Sequence, residues 1–266
     1  MVRLVAIDLD GTMLRSDVTI SERTREAVKE ARARGVMVAV ATGRMYRSAR
    51  LLVSGLAHDL PIAAYNGALI RMSGSGETLA SSPVPVDAGE RIVRFMWDWG
   101  IAFQGYFNDE LWAPRASARS DSYGMRYGVS VHVLNDVDEF VRRESLKYLV
   151  IDDPARIPSI KAALESVAGP DLRLMRSKPD MIEIVNSSVS KLTALRHLAQ
   201  MCGISMSETM AIGDQENDIE MIRGAGLGVA VGNGEAEVIQ AADCVVASND
   251  DDGVAEALER YVLLRR

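Results

Sequence analysis

Residues 2–12 read VRLVAIDLDGT. Val2 to Leu9 is a short β-branched and apolar run that ends in acids and a glycine, the pattern of a buried strand with a loop at its C-terminal end. Working outward, Ser21 is placed to cap a helix with Glu22 in its first turn. Ala27, Val28 and Ala31 form that helix's apolar stripe, and Gly35 stands where it should stop. VMVAVA at 36–41 predicts a second buried strand, ending in Thr42-Gly43-Arg44. A helix is expected over 45–54, and Ile62 to Tyr65 reads as a third strand. Strand, helix, strand, helix, strand argues for a doubly wound, Rossmann-like parallel sheet with helices on both faces.

The rhythm breaks after Asn66. Residues 67–82 read as a hairpin around Ser73-Gly74-Ser75-Gly76, and Pro83 and Pro85 then punctuate the chain. Asp87 with Glu90 has the spacing of a capping box opening a helix that carries Ile92, Val93, Met96 and Trp97. Strands are expected over 101–107, 129–134, 145–151, 171–176 and 180–185, with helices near 116–127 and 155–167. The first rhythm returns with a helix from Ser190 to Cys202 and strands at 209–213, 227–231 and 244–247, each followed by a helix. The expected organisation is therefore an α/β core formed by 1–83 and 185–266, with an α+β domain inserted at 84–184.

Composition bounds the function. The chain has 266 residues and a net charge of −7, with 25% charged and 48% apolar residues, an ordinary globular balance. An acidic protein does not suit the phosphate backbone, so no nucleic-acid partner is expected. No apolar run is long enough to span a membrane, and Met1 to Asp10 carries two acids, unlike a secretory signal. Two cysteines, Cys202 and Cys244, fit a reducing, cytoplasmic setting.

Three groups of residues suggest chemistry. Asp8 and Asp10 sit where the first strand ends, and ligands of open α/β sheets bind beyond the carboxyl ends of strands. Taken alone, this pair also fits a turn with Asp8 as a cap, although a carboxylate closing a buried run is costly. Asp214 and Asp218, behind strand 209–213, form a second acidic pair, for which helix capping is the plain alternative. All these strand tips point to one edge of the sheet. Four carboxylates there would repel unless a cation lay among them, and oxygen ligands of this kind suit Mg²⁺ with a substrate phosphate. Thr42-Gly43-Arg44 suits a phosphate, or else a loop with Thr42 as N-cap. Lys191 lies in a first helical turn, where positive charge is disfavoured; it is either a solvated surface lysine or the counter-charge to the acids. His58, His132 and His197 are isolated, and capping and solvation account for the run Asn249-Asp250-Asp251-Asp252.

These residues resemble the haloacid dehalogenase superfamily, in particular its Cof-type, sugar-phosphatase-like branch with a large α/β cap. DLDGT at 8–12, ATGR at 41–44, Lys191 and GDQENDIEM at 213–221 appear in the family's order. Asn66-Gly67 and the tail GVAVGNGEAEVIQAADCVVASNDDDGVAEAL also look like this branch. The segment before the lysine departs from the family's glycine-valine-serine-lysine-glycine, reading Ser188-Val189-Ser190-Lys191-Leu192.

The resemblance implies a Mg²⁺-dependent phosphatase of a small phosphorylated metabolite. Asp8 would be the nucleophile, forming an aspartyl-phosphate, and Asp10 the general acid and base. The metal would be held by Asp8, the backbone carbonyl of Asp10 and Asp214, with Asp218 as ligand or outer support. Thr42 and Lys191 would bind phosphoryl oxygens, and Gly43, Arg44, Asn66 and Asn217 would contact phosphate or substrate. The insert would close over the site and read the leaving group. A phosphomutase on the same fold, and a non-enzymatic phosphoacceptor or binding protein, are the alternatives. A monomer or a homodimer fits equally.

Overall fold

The computed structural model describes residues 1–56 and 58–264, the side chains of Tyr127 and Ser177 excepted. It resolves into two compact units, one formed by Met1–Ala80 with Val189–Arg266 and the other by Ser81–Ser188.

The first unit is a mixed α/β fold around one sheet. In chain order it contains β1 (Leu4–Ile7), α1 (Glu22–Ala33), β2 (Met37–Ala41), α2 (Tyr46–Leu52), β3 (Pro61–Ala64), β4 (Leu69–Met72) and β5 (Thr78–Ser81), which runs to the boundary. The sheet order is β14-β13-β12-β1-β2-β3-β4-β5. The later strands are β12 (Thr209–Gly213), β13 (Leu227–Val231) and β14 (Cys244–Val246). From β14 through β3 every pairing is parallel, and β4 turns back antiparallel on β3. Successive side chains on a strand face opposite ways. Leu4 and Ala6 accordingly join the core with residues of α7 (Lys191–Met201), α8 (Ile219–Gly224) and α9 (Ala236–Ala241). On the opposite side α1 packs against α10 (Gly253–Leu258) and β2. β1 lies at the centre, between β12 and β2, with Ile7 in register with both Ile212 and Val40. The residues that follow these three strands are therefore brought side by side at one edge.

The second unit is α+β. Its elements are α3 (Val86–Asp98), β6 (Phe103–Phe107), β7 (Glu110–Ala113), α4 (Ala118–Tyr127), β8 (Val131–Val133), α5 (Val137–Val141), β9 (Tyr148–Ile151), α6 (Ile157–Ala168), β10 (Leu172–Lys178) and β11 (Met181–Asn186). They build a six-stranded sheet in the order β10-β11-β9-β6-β7-β8. One face of it packs Phe103, Phe107, Tyr148, Ile182 and Ile184 against Ile92, Met96, Ile160 and Leu164 of the helices. Phe140 stands edge-on to both Phe103 and Phe107, with ring centroids 5.6 and 4.8 Å apart.

The structure departs from the sequence reading in three local features. The capping box expected at Asp87 and Glu90 does not form: α3 starts after Pro85 without a side-chain cap, and Glu90 accepts instead from Arg94. α2 starts after Met45, so Thr42 is not its N-cap. β7 and the short α5 were not expected from the sequence. The signal for β7 was present in Asn108-Asp109, both left-handed, since two such residues make the tight turn of a hairpin.

All three tryptophans, Trp97, Trp99 and Trp112, lie in the second unit, so their fluorescence reports its unfolding. Phe140→Ala removes a fully buried ring and is expected to cost about 3–5 kcal/mol. The check is a lower urea midpoint in the tryptophan signal.

Candidate active site

Asp8 follows β1, Asp214 follows β12 and Thr42 follows β2, all at the carboxyl edge of the parallel strands. Asp8, Asp214 and Asp218 are buried, and each offers an oxygen within 4.8 Å of the others. Among the described residues they form the acidic group with metal-ligand spacing. Lys191 is not a surface lysine. It is 2% exposed, and its Nζ donates at 2.6 Å to both Asp8 Oδ1 and Asp218 Oδ1. The first turn of α7 delivers it there, capped by Ser190, whose side chain accepts from Thr193 N–H.

Two glycines make the approach possible. Gly11 has φ +78°, and a Cβ on it would lie 2.3 Å from Asp214 Oδ2. A Cβ on Gly213 would lie 2.5 Å from Asp218 Cβ. Asp218 does not reach outward. Its Oδ1 serves Lys191, and its Oδ2 accepts from the N–H groups of Asp214 and Gln215, both at 3.1 Å. It therefore braces the cluster from within, and the three carboxylates together have the spacing to hold a cation. Asp214 is not a helix cap either: its Oδ1 accepts from Thr12 Oγ1 at 2.6 Å. Thr12 lies in the quoted motif, but its sequence neighbours carry no sign of this bond, because the partner lies 202 residues away.

The fourth acid is elsewhere. The carboxylate of Asp10 does not join the cluster expected from the sequence but turns to Arg44, whose Nε donates to Oδ2 at 2.6 Å and whose Nη2 donates to Oδ1. The physical reason is the turn at Gly11 together with a guanidinium fork within reach, which matches a carboxylate in two places. Thr42 is fully buried, and its Oγ1 accepts from Arg44 N–H at 3.1 Å. Asn66 sits in the left-handed region after β3 and accepts from Asn217 Nδ2 at 3.0 Å. Gly43 faces the same side chain, since a Cβ there would lie 3.2 Å from Asn66 Oδ1.

Residues 5–258 match the family of haloacid dehalogenase-like hydrolases. The chain belongs to this family. This hydrolase is 29% identical to 5-amino-6-(5-phospho-D-ribitylamino)uracil phosphatase YitU of Bacillus subtilis, over 98% of each chain. It is 30% identical to HMP-PP phosphatase of Cronobacter sakazakii, over 90% of this chain and 87% of that one. A crystal structure of a Thermotoga maritima protein superposes with a TM-score of 0.88 at 31% identity, covering 98% of this chain and 97% of the other. No helix among the described residues is long and apolar enough to cross a membrane.

In the hydrolase's cluster the buried carboxylates outnumber the ammonium groups beside them. Burial raises the Asp8 carboxyl well above the ordinary range; Lys191 pulls it back, and Asp218 and Asp214 push it further up. Burial likewise lifts Asp214 to about 6, against the hydrogen bond from Thr12. Burial would lower Lys191, yet Asp218 and Asp8 hold it above the usual lysine value. Three buried carboxylates thus share one ammonium. Oxygen donors with surplus negative charge fit a hard divalent cation, so Asp8 and Asp214 fit such an ion on donor chemistry.

A sign follows for the metal-free protein. Asp214 resists ionisation in the fold, so its penalty is absent below pH 4 and complete above its folded value of about 6. In chelator, the wild type should lose roughly 3 kcal/mol relative to Asp214→Asn as pH rises through that window. Thermal unfolding of both proteins at pH 5 and 7.5 measures it, and a gap that does not widen with pH would show that the cluster carries no such strain.

Proposed function

We propose that this hydrolase releases phosphate from a small phosphorylated metabolite through an aspartyl-phosphate on Asp8, with Mg²⁺ as its cation. It is a phosphoric monoester hydrolase by family and by relatives. The observation that carries the mechanism is the arrangement around Asp8. One oxygen of this carboxylate is fixed by Lys191, and Asp214 stands beside it.

In the first step an Asp8 oxygen attacks phosphorus and the ester oxygen departs with a proton from Asp10. In the second, Asp10 takes a proton from water, which attacks the same phosphorus and returns Asp8 as a carboxylate. Arg44 donates to both oxygens of the Asp10 carboxylate and so fixes its orientation. Lys191 and the Thr42 region offset charge on the phosphoryl oxygens, where positioning and charge stabilisation dominate this chemistry. Bound Mg²⁺, held by Asp8 and Asp214 with the carbonyl of Asp10, would neutralise the repulsion between a carboxylate and a phosphate dianion. Gly43, Arg44, Asn66 and Asn217 would contact phosphate or substrate.

We assign the first unit as the catalytic core and Ser81–Ser188 as the cap that selects the leaving group. The two relatives are named for different phosphorylated compounds, which supports a small phosphorylated metabolite, a sugar phosphate among them, as substrate class. A cytoplasmic setting fits the two free thiols, Cys202 and Cys244.

Asp8→Asn should abolish phosphate release from p-nitrophenyl phosphate, a loss of at least about 10³-fold for removing a nucleophile. Retained turnover would exclude Asp8 as the nucleophile. Treatment with EDTA should silence the wild type and Mg²⁺ should restore it; activity that survives chelation would remove the cation from the scheme. Sugar phosphates assayed for isomer as well as free phosphate separate hydrolysis from a mutase reaction.

A further inference from the structure

Capping and solvation account for only part of the run Asn249-Asp250-Asp251-Asp252, in which Asp250 and Asp251 are exposed. Asp252 occupies the N-cap of α10, but its side chain makes no capping bond. It accepts instead from Arg15 Nη2 at 2.7 Å. Asp250 accepts from the backbone N–H and the hydroxyl of Ser16, at 2.8 and 2.7 Å. Asn249 Nδ2 donates to the carbonyl of Leu14 at 2.9 Å. Asn233, at the tip of β13, donates to the carbonyl of Gly11 at 2.7 Å and accepts from Asn249 N–H at 2.8 Å. The loops after β13 and β14 are thus bonded in series to the segment 11–16 that follows Asp8 and Asp10.

Thr12, Met13 and Leu14 of that segment are buried, whereas Gly11 and Ser16 on either side of them are not. A surface cavity of about 410 Å³ borders Asp10, Arg15, Val18 and Asn249. Farther along, Val18 is half exposed at φ +65°, a conformation β-branched residues rarely take. The side-chain amide of Asn233 holds the peptide after Gly11, and that peptide leads directly to Thr12 and its bond to Asp214. The same loop also reaches Asp214 by a second route, since Glu235 N–H donates to the Asp214 carbonyl at 2.9 Å.

We propose that Asn233 and Asn249 are positioning residues for phosphoryl transfer: together they hold the carbonyls of Gly11 and Leu14, and through them keep Asp10, Thr12 and Asp214 in register. This rests on the phosphatase reading for its catalytic consequence, though not for the bracket itself. Neither asparagine touches the reacting atoms in this scheme. Their effect should appear in kcat, with substrate affinity spared.

The test compares Asn233→Ala, Asn249→Ala, the double variant and Asn233→Asp with the wild type. The aspartate keeps the acceptor for Asn249 N–H and sets an oxygen against the Gly11 carbonyl. Each single variant should lower kcat for p-nitrophenyl phosphate about 10-fold, as a small misplacement of reacting groups does, with KM changed less than about twofold. Because the Asn249 N–H bond to Asn233 Oδ1 couples the pair, the double variant should lose little more than the worse single one. Asn233 is exposed, so its variants should melt with the wild type and carry the test alone if Asn249→Ala does not fold. Amide hydrogen exchange should speed up over 11–18 and stay unchanged in 4–7 and 209–213. Unchanged kcat, fully additive losses, or a melting temperature that falls in step with kcat would overturn the proposal. A wild type that releases no phosphate from any monoester would sink the phosphatase reading instead, and the exchange measurement would then decide the bracket on its own.

Discussion

One ammonium group sets the terms for the rest of the first unit. Lys191 Nζ lies 2.6 Å from oxygens of both Asp8 and Asp218, in a place where none of the three side chains is more than a few per cent exposed. Stripping such a pair of one partner leaves an uncompensated buried charge, which typically costs 3–5 kcal/mol, whereas the intact pair roughly balances its own desolvation. The bond therefore does more for geometry than for stability. It fixes which oxygen of Asp8 faces the ammonium. Three distant stretches of chain have to meet for it to form: the end of β1, the first turn of α7 and the turn after β12.

The sheet order provides that meeting. Because β1 is flanked by β2 and β12, the residues just beyond all three strands share one edge, the place where open α/β sheets bind ligands. The loops after β13 and β14 extend the same edge and reach back to the segment after Asp8. Burial at this edge is costly for acids, and the fold offsets it with hydrogen bonds from backbone N–H groups, from Thr12 and from Lys191. Three buried carboxylates around one ammonium leave a surplus of negative charge at this edge, which a bound cation would offset.

Much of this was legible in the sequence. Short β-branched runs ending in acids or glycine located β1, β2 and β12, and their alternation with helical stripes implied the parallel order. The residues themselves grouped Asp8, Asp10, Asp214 and Asp218 at one sheet edge, and the family resemblance added Thr42 and Lys191. Other features were not legible, because they depend on partners far away in the chain. Nothing local distinguishes a carboxylate that joins a cluster from one that turns to a guanidinium, so Asp10 was grouped with the other acids and its bond to Arg44 went unseen. The capping box at Asp87 satisfied a spacing rule and still did not form, since Glu90 had Arg94 one turn away. The acidic run at 249–252 read as a solvated cap because its partners, Leu14 to Ser16, lie more than 230 residues earlier.

By itself the sequence determined the parallel strands of the first unit, the place where the chain leaves that rhythm and returns to it, and the residue types available for phosphoryl chemistry. These follow from local rules: side-chain period, turn residues and the cost of burying acids. Only the tertiary structure decided which acids share a lysine, that Asp218 supports the cluster and does not reach out of it, and that Asn233 and Asn249 hold the loop behind Asp8. Each of those outcomes is a choice of partner in a low-dielectric edge where every buried polar atom needs one. That choice is settled by strand order and distance, which no window of sequence contains.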